Sequence, residues 1–204
     1  MVQIEKIQKV SCAYSYDQYK DIVFDYASER KTSGEQLEER IAATFINAQR
    51  IKRIDKQCII NEELSLITKN FSKKHKWILI VESWCGDGAQ CAPVISKITE
   101  INSNIKLEII FRDDNLEIMD CFLTNGSRSI PKLICIDDSD DKIVATWGPR
   151  PKAIQDKVVE FKKSFPEVTH DELVKNIHLW YAQDKTKSIQ DEFLELLNKL
   201  NSEY

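Results

Sequence analysis

The sequence predicts an α/β fold built on a mixed four-stranded sheet, with helices added at both ends. Three observations lead there. Between residues 77 and 164, apolar runs of strand length alternate with stretches of helical periodicity. Four of the five glycines (86, 88, 126, 148) and four of the five prolines (93, 131, 149, 151) fall between residues 86 and 151, so the special backbone conformations gather in the middle. On either side of that block, apolar residues recur at helical spacing.

In chain order, Tyr16, Tyr19, Val23, Tyr26 and Ala27 predict a helix over 16–29. Ser33-Gly34-Glu35-Gln36 reads as a capping box that opens a long helix over 34–56. Its expected apolar stripe is Leu37, Ile41, Phe45, Ala48, Ile51 and Ile54. Cys58-Ile59-Ile60 reads as a short first strand, and Asn61-Glu62-Glu63 caps a shorter helix running to residue 72. Strands follow at 77–83, 106–111, 132–137 and 142–147, with helices at 86–101, 114–124 and 151–164. The first two strands are joined by a helix, which favours parallel pairing; the last two are separated by the acidic turn Asp138–Asp141, which favours a hairpin. Thr169-His170-Asp171-Glu172 is a further capping box, opening a helix that bears Leu173, Ile177, Trp180 and Tyr181. A final helix spans 188–201 with Phe193, Leu194, Leu196, Leu197 and Leu200. The expected division is an N-terminal helical extension (1–60), a central domain (61–165) and C-terminal helices packed on the same core (166–204).

Composition narrows the function. With 29 basic and 33 acidic residues and a net charge of −4, the chain carries no bulk field that points to nucleic acid or membrane. The basic run Arg50–Lys56 reads as a solvated helix face, with a phosphate or partner patch as the alternative. No segment reaches the ~20 apolar residues of a membrane-spanning helix. Met1–Lys9 lacks the apolar core of a secretion signal, so a cytoplasmic location is expected, where thiols stay reduced. The six cysteines then read as separate thiols. The three histidines show no metal-ligand spacing, and no metal site is expected.

The chemistry concentrates after the first central strand. Trp77–Val81 runs into Glu82-Ser83-Trp84-Cys85-Gly86-Asp87-Gly88, which opens a helix containing Pro93. Some forty residues later, Ser129-Ile130-Pro131 leads into the next strand. This order resembles the thioredoxin superfamily, and the wording Trp-Cys-Gly-Asp is similar to a bacterial branch of it. The resemblance implies a thioredoxin-like fold, with Cys85 as the catalytic thiol and Trp84, Gly86, Asp87, Gly88, Ile130 and Pro131 as the substrate-binding surface. It also implies a cis Ile130–Pro131 bond, with the Ile130 backbone meeting a bound peptide. Two family parts are absent: the second redox cysteine, replaced by Gly88, and the buried acid, whose position holds Leu79.

At a helix N-terminus, free N–H groups stabilise a thiolate, while the Asp87 carboxylate opposes it; the balance predicts a modestly lowered thiol pKa. Gly88 either leaves room beside Cys85 for a mixed disulfide with a small thiol or simply marks a lost cysteine. Cys91 lies about 9 Å along the helix from Cys85, beyond the ~7 Å limit for a disulfide, and reads as packing. Glu82 is expected as an exposed strand-end carboxylate. Arg150 suits either an anion, such as the carboxylate of a low-molecular-weight thiol, or a salt bridge to a nearby Asp.

The expected function is that of a thiol–disulfide oxidoreductase or redox adaptor with one thiol, resolved by an external thiol. Its partners would be protein or small-molecule disulfides and thiols, with no cofactor beyond a low-molecular-weight thiol as co-substrate and no nucleic acid or membrane. The added helices offer a homodimer surface. The alternative is a thioredoxin-fold binding protein without redox turnover. A weaker third reading is cluster binding by one cysteine per subunit.

Overall fold

A computed structural model of the chain describes Ile7, Val10 and residues 12–202. The other residues of the expected N-terminal extension, and residues 203 and 204, lie outside the described residues.

Strands β1 (His75–Val81), β2 (Ile105–Phe111), β3 (Lys132–Asp137) and β4 (Lys142–Trp147) form one sheet in the order β2-β1-β3-β4. β1 and β2 are parallel, from His75↔Ile105 to Val81↔Phe111, and the crossover between them is α4 (Gly86–Thr99). β3 runs antiparallel to both β1 and β4. The mixed sheet follows from connection length, because a helix separates one pair and a four-residue turn the other.

β1 is central, and Trp77 to Val81 are all at most 1 % exposed. A strand covered on both faces has no solvent side, which explains its unbroken apolar run. Each such side chain contributes roughly 1.5–3 kcal/mol on burial. By strand alternation Trp77, Leu79 and Val81 share one face. On that face the Trp77 ring lies 5.7 Å from Phe193 of the C-terminal helix α8 (Lys187–Ser202), and Phe193 also meets Trp147 at 5.3 Å. The C-terminal helix is therefore part of the core.

At the other end of the chain, α1 (Tyr16–Glu29) buries Tyr16, Tyr19 and Val23, with Tyr19 6.1 Å from Phe111. α2 (Glu38–Gln57) follows, then α3 (Glu62–Lys69), whose first turn is capped by the Asn61 side chain accepting from Leu64 N–H at 2.8 Å. Beyond the sheet come α6 (Lys152–Ser164) and α7 (His170–Asp184), the latter opened by the expected Thr169/Glu172 capping box. A short α5 (Leu116–Met119) lies between β2 and β3.

Four local expectations are corrected. The Ser33–Gln36 capping box does not form: α2 begins at Glu38 without a side-chain cap, and Ser33 is buried, its hydroxyl donated to Glu82. The apolar stripe of α2 holds only in its second half. Thr44 and Asn47 are buried while Phe45 is 57 % exposed, because the first half of α2 covers the polar Ser83 turn. Cys58–Ile60 is not a strand; Tyr14 instead bridges Ile109 on the free edge of β2. The helix expected over 114–124 stops at Met119. Asn125 and Gly126 take left-handed torsions (φ 50° and 76°) and close a two-residue turn between Thr124 and Ser127.

Candidate functional site

Cys85 is the N-cap of α4. Its sulfur accepts from the Gly88 N–H at 3.3 Å and donates to the Ile130 carbonyl at 3.4 Å. The helix start and the Ile130–Pro131 loop thus meet at one thiol, and the Ile130–Pro131 bond is cis. A second loop closes on the first at Gly148 (φ 110°). A Cβ there would lie 2.2 Å from the Pro131 carbonyl oxygen, so only glycine permits that approach. Two residues on, Arg150 pairs with Asp87 at 2.7 Å, and the Tyr181 hydroxyl of α7 donates to the other oxygen of Asp87 at 2.7 Å. Of the two readings for Arg150, its guanidinium holds the salt bridge.

The lowered pKa expected for Cys85 is overturned. Cys85 is only 6 % exposed, and burial, reinforced by the Asp87 charge, pushes the thiol up to about 12. The Gly88 N–H and the Arg150 charge act the other way and do not prevail. Burial raises the Asp87 carboxyl as well, against the opposing pull of Arg150 and Tyr181.

What buries the thiol region comes partly from outside the sheet. A Cβ on Gly86 would stand 2.7 Å from the His178 ring of α7 and 3.4 Å from an Arg50 nitrogen of α2. The helical ends therefore close over the start of α4. His178 is held neutral, its pKa drawn down to about 3 by burial and by Arg50, Arg150 and Arg53. Arg50 is itself half-buried, which corrects the solvated-face reading for that residue; its nitrogen donates to Asn47 at 2.7 Å.

Glu82 is fully buried and not exposed as expected. Its carboxylate accepts from the Ser33 hydroxyl and, at 2.8 Å, from the Asp113 N–H. Burial raises its pKa while both donors lower it. Next to it, the Ser83 hydroxyl joins Thr32 and Thr44 at 3.1 and 3.0 Å, and the Asn47 amide donates to the Ser83 carbonyl at 2.8 Å. This buried polar cluster fixes the turn two residues before Cys85. Trp84 follows, with the guanidinium groups of Arg40 and Arg112 4.6 and 4.9 Å from its ring centre.

The room expected beside Cys85 at Gly88 is already filled. A Cβ there would come within 2.3 Å of a Val81 methyl and 3.5 Å of the Cys85 sulfur. Cys91 is buried and lies 3.8 Å from the Tyr181 hydroxyl. All six cysteines are free thiols, and no cluster suited to a metal ion occurs among the described residues.

Trp84, Cys85, Gly86, Asp87, Gly88, Ile130, Pro131 and Arg150 thus lie together where the start of α4 meets the Ile130–Pro131 loop. Arg40, Arg50, His178 and Tyr181 join them from α2 and α7. Arg50 opens the basic run Arg50–Lys56 and Tyr181 belongs to the apolar stripe of its helix, but neither signal tied them to Cys85; His178 lies beside that stripe of Leu173, Ile177 and Tyr181.

Sheet order, crossover and site define a thioredoxin-fold protein. The chain belongs to the thioredoxin family: a family model described as Thioredoxin matches residues 34–169, a span that takes in α2 as well as the sheet. No curated protein matches the chain. Two solved structures are similar. One is a 1.5 Å crystal structure of a protein of unknown function, PA1234 from Pseudomonas aeruginosa, with a TM-score of 0.57 and 16 % identity, covering 92 % of this chain and 99 % of that one. The other is an HIV epitope-scaffold, with a TM-score of 0.54 and 14 % identity over 91 % and 99 % of the two chains. At these identities the likeness is one of fold. No helix among the described residues is long and apolar enough to cross a membrane.

Proposed function

We propose that the protein is a thiol–disulfide oxidoreductase or redox adaptor that works through Cys85 alone. The observation that carries this reading is the position of its sulfur, between the Gly88 N–H of the helix start and the Ile130 carbonyl of the Ile-Pro loop. In the reaction, the Cys85 thiolate attacks one sulfur of a partner disulfide. The new S–S bond forms as the old one breaks, and the departing sulfur leaves as a thiolate that takes up a proton. An external low-molecular-weight thiol then attacks the mixed disulfide at the partner's sulfur, and Cys85 leaves with the electron pair and is reprotonated. Trp84, Gly86, Asp87, Gly88 and the Ile130-Pro131 loop form the docking surface.

The closed site belongs to the resting state. With its pKa pushed up to about 12 by burial, the thiol is overwhelmingly protonated at neutral pH. Productive docking must displace the His178 and Arg50 cover, and reactivity is then coupled to partner binding. Six unpaired cysteines fit a reducing, cytoplasmic setting.

The test is site-resolved mass spectrometry after incubation with an aromatic disulfide, followed by a low-molecular-weight thiol. Cys85 should carry a mixed disulfide that the thiol reverses, and Cys85→Ser should lose that adduct alone. A Cys85 peptide that stays unmodified while exposed Cys12 reacts would sink the proposal. The burial of Cys85 favours one second reading, a binding protein without turnover. Partner capture that survives Cys85→Ser would select it.

A further inference from the structure

We propose that the cleft between α2 and α7 contains an anion-binding pocket for a small phosphate-bearing ligand, built around Arg53 and Lys185. Cys85 does not line the pocket, and the proposal stands whether or not Cys85 exchanges disulfides. A cavity of about 210 Å³ opens there, walled by Arg53 and Gln57 of α2, Gln90 of α4, and Lys185 and Thr186 after α7. At ~30 Å³ per water this is room for about seven waters, enough for a phosphate with a short organic tail. It falls below the ~300 Å³ at which ordinary cofactor sites begin.

Charge selects the ligand. Arg53 and Lys185 are the charged residues lining the cavity, and no carboxylate lines it. Among the described residues, neither forms an ion pair, and nor does Arg50, one turn before Arg53. The nearby Asp87 is committed to Arg150 and Tyr181, and Asp55 accepts from the Tyr16 hydroxyl at 2.6 Å. A chain of net charge −4 thus sets Arg50, Arg53 and Lys185 along one cleft. Arg50 is half-buried, and its pKa is brought down to about 10 chiefly by burial, with Arg53 adding to the shift and Asp87 opposing it.

The neutral groups are arranged as donors or as supports for donors. Gln90 is 4 % exposed; its carbonyl oxygen receives Arg53 at 3.4 Å, and its amide nitrogen meets His178 Nδ1 at 3.3 Å. The Arg53 guanidinium is thereby tethered at the cavity wall. The Thr186 oxygen accepts from Gln190 at 2.9 Å and lies 3.6 Å from the Cys58 sulfur, so the hydroxyl stays on the cavity wall. Cys58, also on the wall, has its pKa raised by burial and adds no negative charge at neutral pH. Two cations with no acid on the cavity wall match a dianion better than a monoanion.

The experiment is calorimetric titration of the full chain with inorganic phosphate, and with acetate at matched ionic strength, at pH 7.5. Phosphate should bind saturably and more tightly than acetate. Arg53→Gln and Lys185→Gln should each weaken it by about tenfold or more, the loss expected for one charge-assisted contact. Both side chains are on the surface, so the variants should keep the wild-type circular dichroism and melting temperature, which are measured alongside. Cys85→Ser should bind phosphate as the wild type does, which separates this site from the redox reading. Absence of saturation, equal binding of acetate, or undiminished binding by the double variant would overturn the proposal.

Discussion

The imidazole of His178 lies against the α-carbon of Gly86, so close that a Cβ on Gly86 would stand 2.7 Å from two ring atoms. This contact joins a helix near the end of the chain to the residue after Cys85. It brings α7 against the start of α4, where Cys85 is only 6 % exposed.

His178→Ala should therefore uncover the thiol. Removing the ring admits water to the start of α4 and lowers the desolvation that dominates the Cys85 pKa. Each unit by which that pKa falls raises the thiolate fraction about tenfold below it. Site-resolved alkylation of Cys85 at pH 8 should accelerate by about that factor or more. Leu179→Ala, on the exposed side of the same helix, should leave the rate unchanged. Equal rates in all three proteins would mean that the ring does not shield the sulfur.

The same residue sets part of the acid stability. His178 has its pKa depressed to about 3 in the folded chain, against an ordinary value of about 6.5. Between those values the unfolded chain binds a proton that the folded chain refuses. This contribution is fully present well above pH 6.5 and is lost as pH falls. Glu82 and Asp87 are shifted upward, so they act in the opposite sense: folding is relatively favoured as pH falls through their raised values. His178→Gln removes only the first effect. Urea unfolding at pH 7 and pH 5 should show the variant losing about 1–2 kcal/mol less than the wild type across that interval. Identical losses would argue that His178 titrates normally.

The fold was legible because its signals are local. Strands Lys132–Asp137 and Lys142–Trp147 begin and end where apolar patterning and the acidic turn put them, and Asn61 and Thr169 cap their helices as their spacing suggested. Three of the errors share one cause, which is long-range competition for a polar group. Ser33 looks like a cap, but its hydroxyl goes to Glu82, 49 residues away. Glu82 looks like a strand-end surface carboxylate because neither Ser33 nor the Asp113 amide is near it in sequence. Thr44 and Asn47 interrupt the apolar stripe of α2 for the same reason: the surface they cover is the Ser83 turn. The Cys85 pKa was misjudged because the helix start is a local feature and its cover is supplied by α7 and α2.

That buried polar cluster yields a third expectation. Ser33→Ala removes a donor from the fully buried Glu82 carboxylate. Loss of one charge-assisted hydrogen bond should destabilise the fold by about 1.5–3 kcal/mol at pH 7. The deficit should shrink at low pH, where the protonated carboxyl no longer needs the donor as strongly. Chemical denaturation at pH 7 and pH 4.5 checks both statements. A deficit that is the same at both pH values would mean that Glu82 is already neutral at pH 7.

Asp87 and Arg150 should tune the thiol in opposite directions. The Asp87 charge raises the Cys85 pKa and the Arg150 charge lowers it. Asp87→Asn should speed alkylation of Cys85 at a fixed pH, and Arg150→Gln should slow it. Asp87→Asn also leaves a partly buried guanidinium without its carboxylate, at a stability cost of about 1–3 kcal/mol. Rates that move in the same direction in the two variants would show that loosening of the loop, and not charge, controls the sulfur.

Packing alone restricts position 88 to a residue without a side chain. Gly88 is buried, and a Cβ at that position would meet a Val81 methyl at 2.3 Å. Val81 is the last residue of the central strand and is fully buried, so it cannot swing into solvent. Gly88→Cys should then be overpacked, costing about 1–3 kcal/mol despite the gain in helix propensity. Gly88→Cys combined with Val81→Ala removes the clashing methyl and should recover much of that loss. The added thiol would stand one helical turn from Cys85, whose sulfur is 3.5 Å from the Cβ position. Under oxidising conditions the double variant should therefore form a disulfide between Cys85 and the introduced thiol, detectable as a mass loss of about 2 Da and the disappearance of two alkylatable thiols. A stable single Gly88→Cys variant that oxidises readily would mean that β1 and α4 separate more easily than their packing implies, and the monothiol state would then owe nothing to Val81.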